Sequence, residues 1–164
     1  MLQIRQYQES DNQGLIKLVR ILQNHIAEID PIHINKSGDS FDAEGYVDRI
    51  LYRLNKEKGE IFIAEETDII GFIAGIVQKT GKEEEIEILP TTDGRIIELI
   101  VAPDQRGKNV GKALMDRMEK YFKENECDFS RVECFAPNTG AHGFYEKCGY
   151  VDRSIEMIKK SQLG

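Results

Sequence analysis

The sequence predicts one domain of mixed α/β (α+β) class, in which strands and helices alternate along the chain. Three observations support this expectation. Short β-branched segments alternate with longer segments of helical period. The 164 residues are about the length of one domain, and no linker or internal repeat divides them. We therefore expect a single domain over residues 1–164.

The composition is that of a globular protein, with 40% apolar and 31% charged residues. A net charge of −7 argues against a nucleic-acid partner. The chain has no apolar run of membrane-spanning length and no signal-peptide core at its start, so we expect a cytoplasmic protein without a membrane partner. Cys127, Cys134 and Cys148 are odd in number and lack Cys-x-x-Cys spacing, which indicates reduced thiols. The three histidines are scattered, so no metal site is expected.

The first third of the chain predicts a strand and two helices. Residues 2–7 alternate apolar and polar side chains, as in a strand. Residues 10–12 offer capping oxygens for a helix that Asp30-Pro31 ends. A polar surface loop at residues 35–40 follows, and a second helix is predicted over 43–56.

A hairpin is predicted next. Its strands are residues 60–66 and 69–77, joined by a polar turn at Thr67-Asp68. Gly71 and Gly75 inside the second strand indicate bulges or a close backbone approach. A long hydrophilic connection is predicted over 78–94.

The stretch around residues 96–115 predicts an anion site. Residues 96–101 form an apolar, β-branched strand that Pro103 ends, and a helical pattern begins near Ala113. A loop between a strand and a helix start directs unpaired N–H groups toward one point, where the helix dipole is positive. Arg106, Lys108 and Lys112 add positive side chains. A phosphate or pyrophosphate is the expected ligand.

Two common phosphate loops do not fit this stretch. The Walker A loop needs four residues between its glycine and its Gly-Lys pair, followed by Ser or Thr. Here three residues separate Gly107 from Gly111, and Ala113 replaces the hydroxyl. The dinucleotide pattern G-x-G-x-x-G is absent as well.

The loop instead resembles the acyl-CoA pyrophosphate loop of the GNAT superfamily of N-acetyltransferases. That pattern, Gln/Arg-x-x-Gly-x-Gly/Ala, is matched by Arg106 and Gly111, with Asn109 where the family usually has glycine. Asparagine tolerates left-handed backbone geometry, so this departure is mild. A second resemblance is the run Asn138-x-x-Ala141-x-x-Phe144-Tyr145-x-x-x-Gly149-Tyr150. The strands predicted around it are 131–135 and 150–158, with a turn and helix over 138–148.

The resemblance implies a mixed, mostly antiparallel twisted sheet with splayed central parallel strands and helices on both faces. It implies acetyl-CoA (coenzyme A) as cofactor, with its pantetheine arm paired to the backbone of Leu99, Ile100 and Val101. Asn138 would hydrogen-bond the same arm, or serve only as a helix cap. The cofactor's pyrophosphate would lie on the loop residues Arg106, Gly107, Lys108, Asn109, Val110, Gly111 and Lys112.

Two residues are predicted to be catalytic. Tyr145 matches the family's tyrosine that protonates the departing thiolate, and a phenol of ordinary pKa about 10 holds a proton at neutral pH. The alternative is a core aromatic beside Phe144. Glu98, the one charge in an apolar strand, is the predicted base, with a structural carboxylate as the alternative. His142 is expected to face solvent, and Cys148 to fill space rather than act as a nucleophile.

The resulting expectation is a transferase, an acyl-CoA-dependent N-acetyltransferase that moves acetyl to a primary amine by direct attack. The alternative is a silent acyl-CoA-binding sensor or interaction module. The acceptor would be a small cationic amine or a protein amine. The carboxylates at residues 83–85 and 87 either form a solvated loop or attract that amine. Relatives often dimerise, so a homodimer is an option.

Overall fold

A computed structural model describes residues 1–161 of the chain. Within these residues, five strands and four helices are connected mainly by short turns. In chain order they are β1 (Gln3–Gln6), α1 (Asn12–Ile29), α2 (Ala43–Lys56), β2 (Lys58–Glu65), β3 (Ile69–Lys79), β4 (Thr92–Val101), α3 (Val110–Glu124), β5 (Phe129–Val132) and α4 (Thr139–Lys147).

The strands form one mixed sheet in the order β1-β2-β3-β4-β5. The first four strands are antiparallel to their neighbours, whereas β5 lies parallel to β4. Pairing between β4 and β5 joins residues 93–96 to residues 129–132. Beyond Ile96, β4 continues to Val101 without β5 beside it, so the two parallel strands open a gap at their carboxyl ends. The predicted mixed sheet with splayed central strands is confirmed.

Helices cover both faces of the sheet, as predicted. α1 and α2 pack on one face through Leu15, Leu18, Val19, Ala43, Val47 and Ile50. α3 packs on the other through Val110, Leu114, Met115, Met118 and Phe122, and Phe144 and Tyr145 of α4 lie against that second cluster. Burial of these side chains, at about 25 cal/mol per Å² of apolar surface, supplies the main driving force that holds the helices to the sheet.

A β-bulge interrupts the pairing of β3 with β4. Gly75 lies opposite Ile96, but Ala74 lies opposite Glu98, so Ile97 is an extra residue in β4. Ile97 packs into the cluster beneath α1 and α2, and Glu98 contacts Tyr46 of α2. The bulge therefore turns two successive side chains toward the same face.

The glycines of β3 lie where other groups come close, as predicted. A Cβ on Gly71 would lie 2.8 Å from the carbonyl oxygen of Ile100. A Cβ on Gly75 would lie 2.7 Å from Met118 Sδ and 2.8 Å from Phe122 Cζ. All three distances are shorter than van der Waals contact allows. The small residue at each position lets β4 or α3 approach the strand.

Several predicted bounds were wrong. The hydrophilic connection is residues 80–91 rather than 78–94, because β3 extends to Lys79 and β4 begins at Thr92. Polar side chains at these ends hid the strands, although Lys79 pairs with Thr92. β5 is Phe129–Val132 rather than 131–135. The predicted last strand over 150–158 is absent, because residues 151–161 are exposed and form no helix or strand.

Within residues 1–161, no helix is both long enough and apolar enough to cross a membrane.

Candidate active site

The loop before α3 has the backbone shape of an anion-binding nest. Gly107 has a φ of +77° and Asn109 a φ of +65°, so two left-handed residues alternate with ordinary ones just before the helix begins at Val110. Such an alternation points successive N–H groups into one concavity, and the positive end of the α3 dipole adds to it. The predicted tolerance of Asn109 for left-handed geometry is confirmed.

The basic side chains of this loop are exposed and positioned by neighbouring residues. Arg106 Nε donates to the carbonyl oxygen of Val101 at 3.2 Å. Lys108 Nζ donates to Gln105 Oε1 at 3.2 Å, and Lys112 forms an ion pair with Asp116 one turn further along α3. These are solvent-accessible contacts, which an incoming anion can exchange for its own at little cost.

Gly111 sits where the first turn of α3 meets α4. A Cβ there would lie 3.3 Å from Phe144 Cζ and 3.7 Å from Val101 Cγ2. The small residue therefore keeps the helix start, the end of β4 and the aromatic pair of α4 close together. Val110 beside it is buried in the same cluster.

The end of β4 turns the backbone groups of alternate residues away from β3. The Ala102 N–H donates to the Ile70 carbonyl at 2.8 Å. In an antiparallel pair, the backbone N–H and C=O groups of alternate residues point toward the same neighbour. Those of Ile100 therefore point toward Phe72 on β3, and those of Leu99 and Val101 point away from β3. Of the three predicted backbone residues, Leu99 and Val101 face the gap and Ile100 faces the sheet.

Glu98 lies on β4 just beyond its pairing with β5, and its side chain is partly buried. Tyr46 Oη donates a hydrogen bond of 2.5 Å to its Oε2 atom. Burial raises the pKa of Glu98 above its ordinary range, and the Tyr46 hydrogen bond, the Leu99 N–H and the positive charge of Arg49 oppose part of that rise. A carboxyl group whose pKa lies above its usual value is a stronger base than an exposed glutamate.

Tyr145 lies on the opposite side of the gap, on α4. Its ring contacts Phe144 and Tyr150 at centroid distances of 5.5 and 6.0 Å. Burial raises the pKa of its hydroxyl well above the ordinary value, and the negative charge of Glu98 raises it further. The phenol therefore remains protonated throughout the neutral range. Tyr145 packs in the core cluster, as its structural alternative expected, and its hydroxyl shares the electrostatic environment of Glu98. Its role as proton donor stays a prediction.

Three other predicted residues have structural roles. Asn138 caps α4, with Oδ1 accepting from the Ala141 N–H at 3.3 Å. His142 is partly exposed and its Nε2 lies 2.8 Å from Asp152 Oδ1. Cys148 packs against the α3 cluster, and burial raises the pKa of its thiol, which disfavours a nucleophilic thiolate.

The acidic loop after β3 is exposed, and its residues bond locally. Glu84 Oε2 accepts from the Gly81 N–H at 2.9 Å. This arrangement fits the solvated-loop alternative. A search of residues 1–161 for His, Cys, Asp and Glu side chains clustered to hold a metal ion finds no such group.

Sequence reasoning missed Tyr46 and Arg49. Tyr46 lies within the helix predicted over 43–56, 52 residues from its partner, and a hydrogen bond across that separation leaves no local pattern. Arg49 lies one turn along α2, with its guanidinium carbon 4.7 Å from the centre of the Tyr46 ring. The available signal was a tyrosine and an arginine one turn apart on a predicted helix, together with a single acid in a predicted strand.

Chemically, the gap can hold a chain-like ligand against β4, with an anion at its outer end and two proton-carrying groups at its inner end. Glu98 can accept a proton, and Tyr145 can donate one.

Known proteins resemble this chain in sequence and in fold. A curated glucosamine 6-phosphate N-acetyltransferase from Candida albicans is 38% identical over 65 residues, which are 40% of this chain and 42% of that protein. The matched segment thus spans about two fifths of the curated relative.

Two solved structures share the fold over nearly the full length of both chains. A point mutant of the BH1408 protein from Bacillus halodurans has a TM-score of 0.84 at 16% identity, covering 97% of this chain and 99% of that one. AAC(6')-Iy, in complex with the bisubstrate analogue CoA-S-monomethyl-acetylneamine, has a TM-score of 0.67 at 16% identity, covering 99% of each chain.

A family model describes most of the chain directly. It matches residues 22–150, which run from within α1 to the turn after α4 and include both sides of the gap. The chain therefore belongs to the Acetyltransferase (GNAT) family.

Proposed function

We propose that this acetyltransferase moves an acetyl group from acetyl-CoA to the primary amine of an acceptor molecule by direct attack. The domain that carries the reaction is the whole chain, residues 1–164. The observation that carries the proposal is the gap between β4 and β5, which has an anion nest at its rim and Glu98 and Tyr145 on its two sides.

The chain's residues fit the donor along its length. The pyrophosphate is held by the loop from Arg106 to Lys112, where the left-handed Gly107 and Asn109 direct N–H groups inward. The Arg106 side chain, now on the Val101 carbonyl, is free to turn to a phosphate oxygen. The pantetheine arm pairs with the outward backbone groups of Leu99 and Val101, as an added strand would. The Asn138 amide N–H₂, whose oxygen caps α4, would donate to the arm.

Bound acetyl-CoA supplies a thioester whose carbonyl carbon accepts a neutral amine and whose sulfur leaves. Two protons must then move. Most primary amines are protonated at neutral pH, so one proton must be removed before attack, and the leaving sulfur needs another.

Glu98 takes the proton from the amine, directly or through water. Glu98 lies on the part of β4 that borders the gap, and its raised pKa increases its basicity at neutral pH. Tyr46 positions the carboxylate, because its hydroxyl donates to Oε2 and leaves Oε1 for the amine. Arg49 stabilises the charged carboxylate from the far side of the Tyr46 ring.

Tyr145 gives its proton to the leaving sulfur. Its hydroxyl is held in an apolar aromatic cluster, where burial keeps it neutral. A buried donor of this kind cannot lose its proton to solvent before the sulfur leaves.

The acceptor is a primary amine, and two classes follow from different features. The matched segment of the Candida albicans relative favours an amino-sugar phosphate such as glucosamine 6-phosphate, and the exposed Arg49 offers a positive group beside Glu98 for its phosphate. The negative charge of the chain favours a cationic small amine or a protein amine.

The competing function is an acyl-CoA sensor that binds the donor without turnover. Glu98 and Tyr145 in one gap support the enzyme, because a sensor has no need of two proton-carrying groups there.

A thiol-release assay with acetyl-CoA tests the proposal. The arms are glucosamine 6-phosphate, glucosamine, spermidine and a lysine peptide, with thermal stability recorded on the same samples. Faster release with one amine than without any is the expected result and identifies the acceptor class. A thermal shift with acetyl-CoA but no release in any arm would support the sensor. If acetyl-CoA produces no thermal shift and no thiol is released, acetyl-CoA is rejected as the donor.

A further inference from the structure

Arg49 is an exposed arginine in the middle of α2, and within residues 1–161 it forms no ion pair. The residues three and four positions away on the helix are Gly45, Tyr46, Tyr52 and Arg53, so no carboxylate lies at the spacing of helical ion pairs. Other arginines do pair with acids: Arg5 with Asp11 and Glu65, Arg53 with Glu57, Arg95 with Glu133, and Arg131 with Asp93. The Arg49 guanidinium therefore keeps most of its N–H donors available to a ligand.

The guanidinium of Arg49 is held over the ring of Tyr46. Its central carbon lies 4.7 Å from the centre of that ring. Phe41 packs edge-on against the same ring, at a centroid distance of 5.5 Å, which restricts the motion of the tyrosine. A guanidinium that rests on an aromatic face still directs its edge N–H groups outward, where a carboxylate or a phosphate can accept two of them.

The same tyrosine also holds the predicted base. Tyr46 Oη donates to Glu98 Oε2 at 2.5 Å, so one phenol positions a cation on its face and a carboxylate at its hydroxyl. Burial raises the pKa of Glu98, and the positive charge of Arg49 opposes part of that rise, as expected for a nearby cation. An acceptor whose amine lies at Glu98 thus has its next few atoms within reach of Arg49.

We propose that Arg49 binds an anionic group of the acceptor, so that the acceptor is a primary amine that also carries a phosphate or a carboxylate a few bonds from its nitrogen. This inference rests on the proposed function and selects one of the two acceptor classes named there. Phosphate and carboxylate share the chemistry that matters, because the arginine fork can donate two parallel hydrogen bonds to either of them.

An acceptor with a second positive charge fits this site poorly. A diamine with one nitrogen at Glu98 would bring its other ammonium group toward Arg49, and like charges repel most strongly where water is partly excluded. Among the described side chains that act on the charge of Glu98 are Tyr46 and Arg49, and neither supplies a second carboxylate for a diamine. The net charge of −7 belongs to the whole surface, and salt screens its effect beyond about 10 Å.

The first experiment compares acceptors that differ only in the anion. The thiol-release assay is run with glucosamine 6-phosphate against glucosamine, with β-alanine against β-alaninamide, and with spermidine. The anionic member of at least one pair should have a KM lower by about tenfold or more, the usual effect of a hydrogen bond to a charged group. The pair with the larger ratio shows whether phosphate or carboxylate is preferred. Equal KM values within both pairs, or a preference for spermidine, would overturn the proposal.

The second experiment removes the cation and keeps its hydrophobic stem. Arg49→Met still covers the Tyr46 ring, and it should raise the KM of the preferred anionic acceptor by about 10- to 100-fold. Arg49→Lys should lose less, because lysine keeps the charge but not the fork. The control is Arg53→Met, which removes the same charge one turn further along α2 and should leave these KM values unchanged.

The neutral acceptors separate binding of the anion from an effect on the base. Glucosamine and β-alaninamide have nothing for Arg49 to bind, so Arg49→Met should leave their kcat/KM within about twofold of the parent value. If Arg49 acted only through the charge of Glu98, the same variant would change kcat/KM for neutral and anionic acceptors by one common factor. That outcome would overturn the assignment.

A binding measurement makes the test independent of turnover. Calorimetric titrations are made in the presence of CoA, which has no acetyl group to transfer and whose pyrophosphate competes with other anions for the loop from Arg106 to Lys112. The parent should bind the preferred anionic acceptor at least about tenfold more tightly than its neutral counterpart, and Arg49→Met should abolish this difference.

Failure of the two proposals has different signatures. Absence of thiol release in every arm, together with the expected difference in binding, would reject acetyl transfer and keep the anion site. Thiol release with no difference in binding between anionic and neutral acceptors would keep acetyl transfer and reject the role of Arg49.

Discussion

Tyr46 on α2 and Glu98 on β4 are joined by a hydrogen bond of 2.5 Å, although 52 positions separate them in the chain. The bond connects helix α2 to the central strand β4. It also links two titratable groups whose pKa values are both raised, first by burial. Several properties of the enzyme are expected to depend on this pair.

Replacing Glu98 by Gln should lower kcat/KM by about 10²- to 10⁴-fold, because a general base is removed. In the parent protein kcat/KM should rise with pH through the Glu98 pKa, which lies above the ordinary glutamate value of about 4.3. The variant should lose this rise. The measurement is the pH profile of thiol release. If the Glu98→Gln variant has the same pH profile as the parent, water or a buffer base removes the proton instead.

Replacing Tyr46 by Phe should move that rise to higher pH. The Tyr46 hydrogen bond stabilises the carboxylate and so lowers the Glu98 pKa against the effect of burial. Its loss should raise the Glu98 pKa further, because a hydrogen bond that favours the charged form is removed and water replaces only part of it. Tyr52→Phe is the matched control, as Tyr52 is an exposed tyrosine on the same helix. A loss of rate without any movement of the profile would contradict the positioning role.

Replacing Tyr145 by Phe should reduce kcat by about 10²-fold or more while changing the acetyl-CoA dissociation constant little. The ring that packs against Phe144 is kept, and only the proton donor is removed. Steady-state kinetics and calorimetric titration with acetyl-CoA separate the two quantities. The control is Tyr121→Phe, near the C-terminal end of α3, which should change neither kcat nor the dissociation constant. Equal turnover in the parent and the Tyr145 variant would exclude Tyr145 from the reaction.

Replacing Asn109 by Val should weaken acetyl-CoA binding and lower the free energy of unfolding by about 1–2 kcal/mol, because a β-branched residue is strained at a φ of +65°. Replacing it by Gly should preserve both, since glycine adopts this geometry freely. Denaturant titrations and binding titrations measure the two effects. Comparable behaviour of the Val and Gly variants would show that the left-handed geometry does not matter.

Asp30 should make the folded protein sensitive to acid. Burial tends to raise the pKa of its carboxyl, but the N–H groups of Ile32, Ile34 and Asn35 and the Asn35 amide outweigh burial and lower the pKa to about 2. A folded-state pKa below the unfolded value of about 3.8 gives stability that is present above pH 4 and is lost as the pH falls toward 2.

Asp30→Asn should therefore be less stable than the parent at pH 6, and the difference should shrink as the pH falls to 2. Thermal unfolding across this range is the measurement. Asp39→Asn, at an exposed aspartate in the following turn, is the control and should follow the parent at every pH. A difference independent of pH would attribute the effect to shape rather than charge.

Much of the fold followed from local patterns. The predicted bounds of α2, residues 43–56, match the structure, because helical spacing and the glycine beyond it are local signals. The left-handed Asn109 followed from its place in the loop motif. The site was harder. The side of the sheet that Glu98 faces depends on a bulge, and its partner lies on a distant helix, so no nearby residue indicated either.

The strand predicted over 150–158 illustrates a different limit. Alternating apolar residues give a segment the capacity to pair, but the neighbour that pairs with it is a property of the assembled molecule. Asn138 shows the same limit on a smaller scale, since one asparagine side chain can cap a helix and contact a ligand, and its sequence position is compatible with both.

The extra residue at Ile97 determines the face of the sheet on which the Glu98 side chain lies. Before the bulge, Ile96 faces α3; after it, Leu99 faces α3 again, and two side chains between them face α2. A substitution in this stretch changes one side chain. The loss of a single residue would instead move every later side chain of β4 to the opposite face of the sheet. The acid would then lie on the α3 face, away from Tyr46. Deletion of one residue here should therefore disturb the site more than a substitution would.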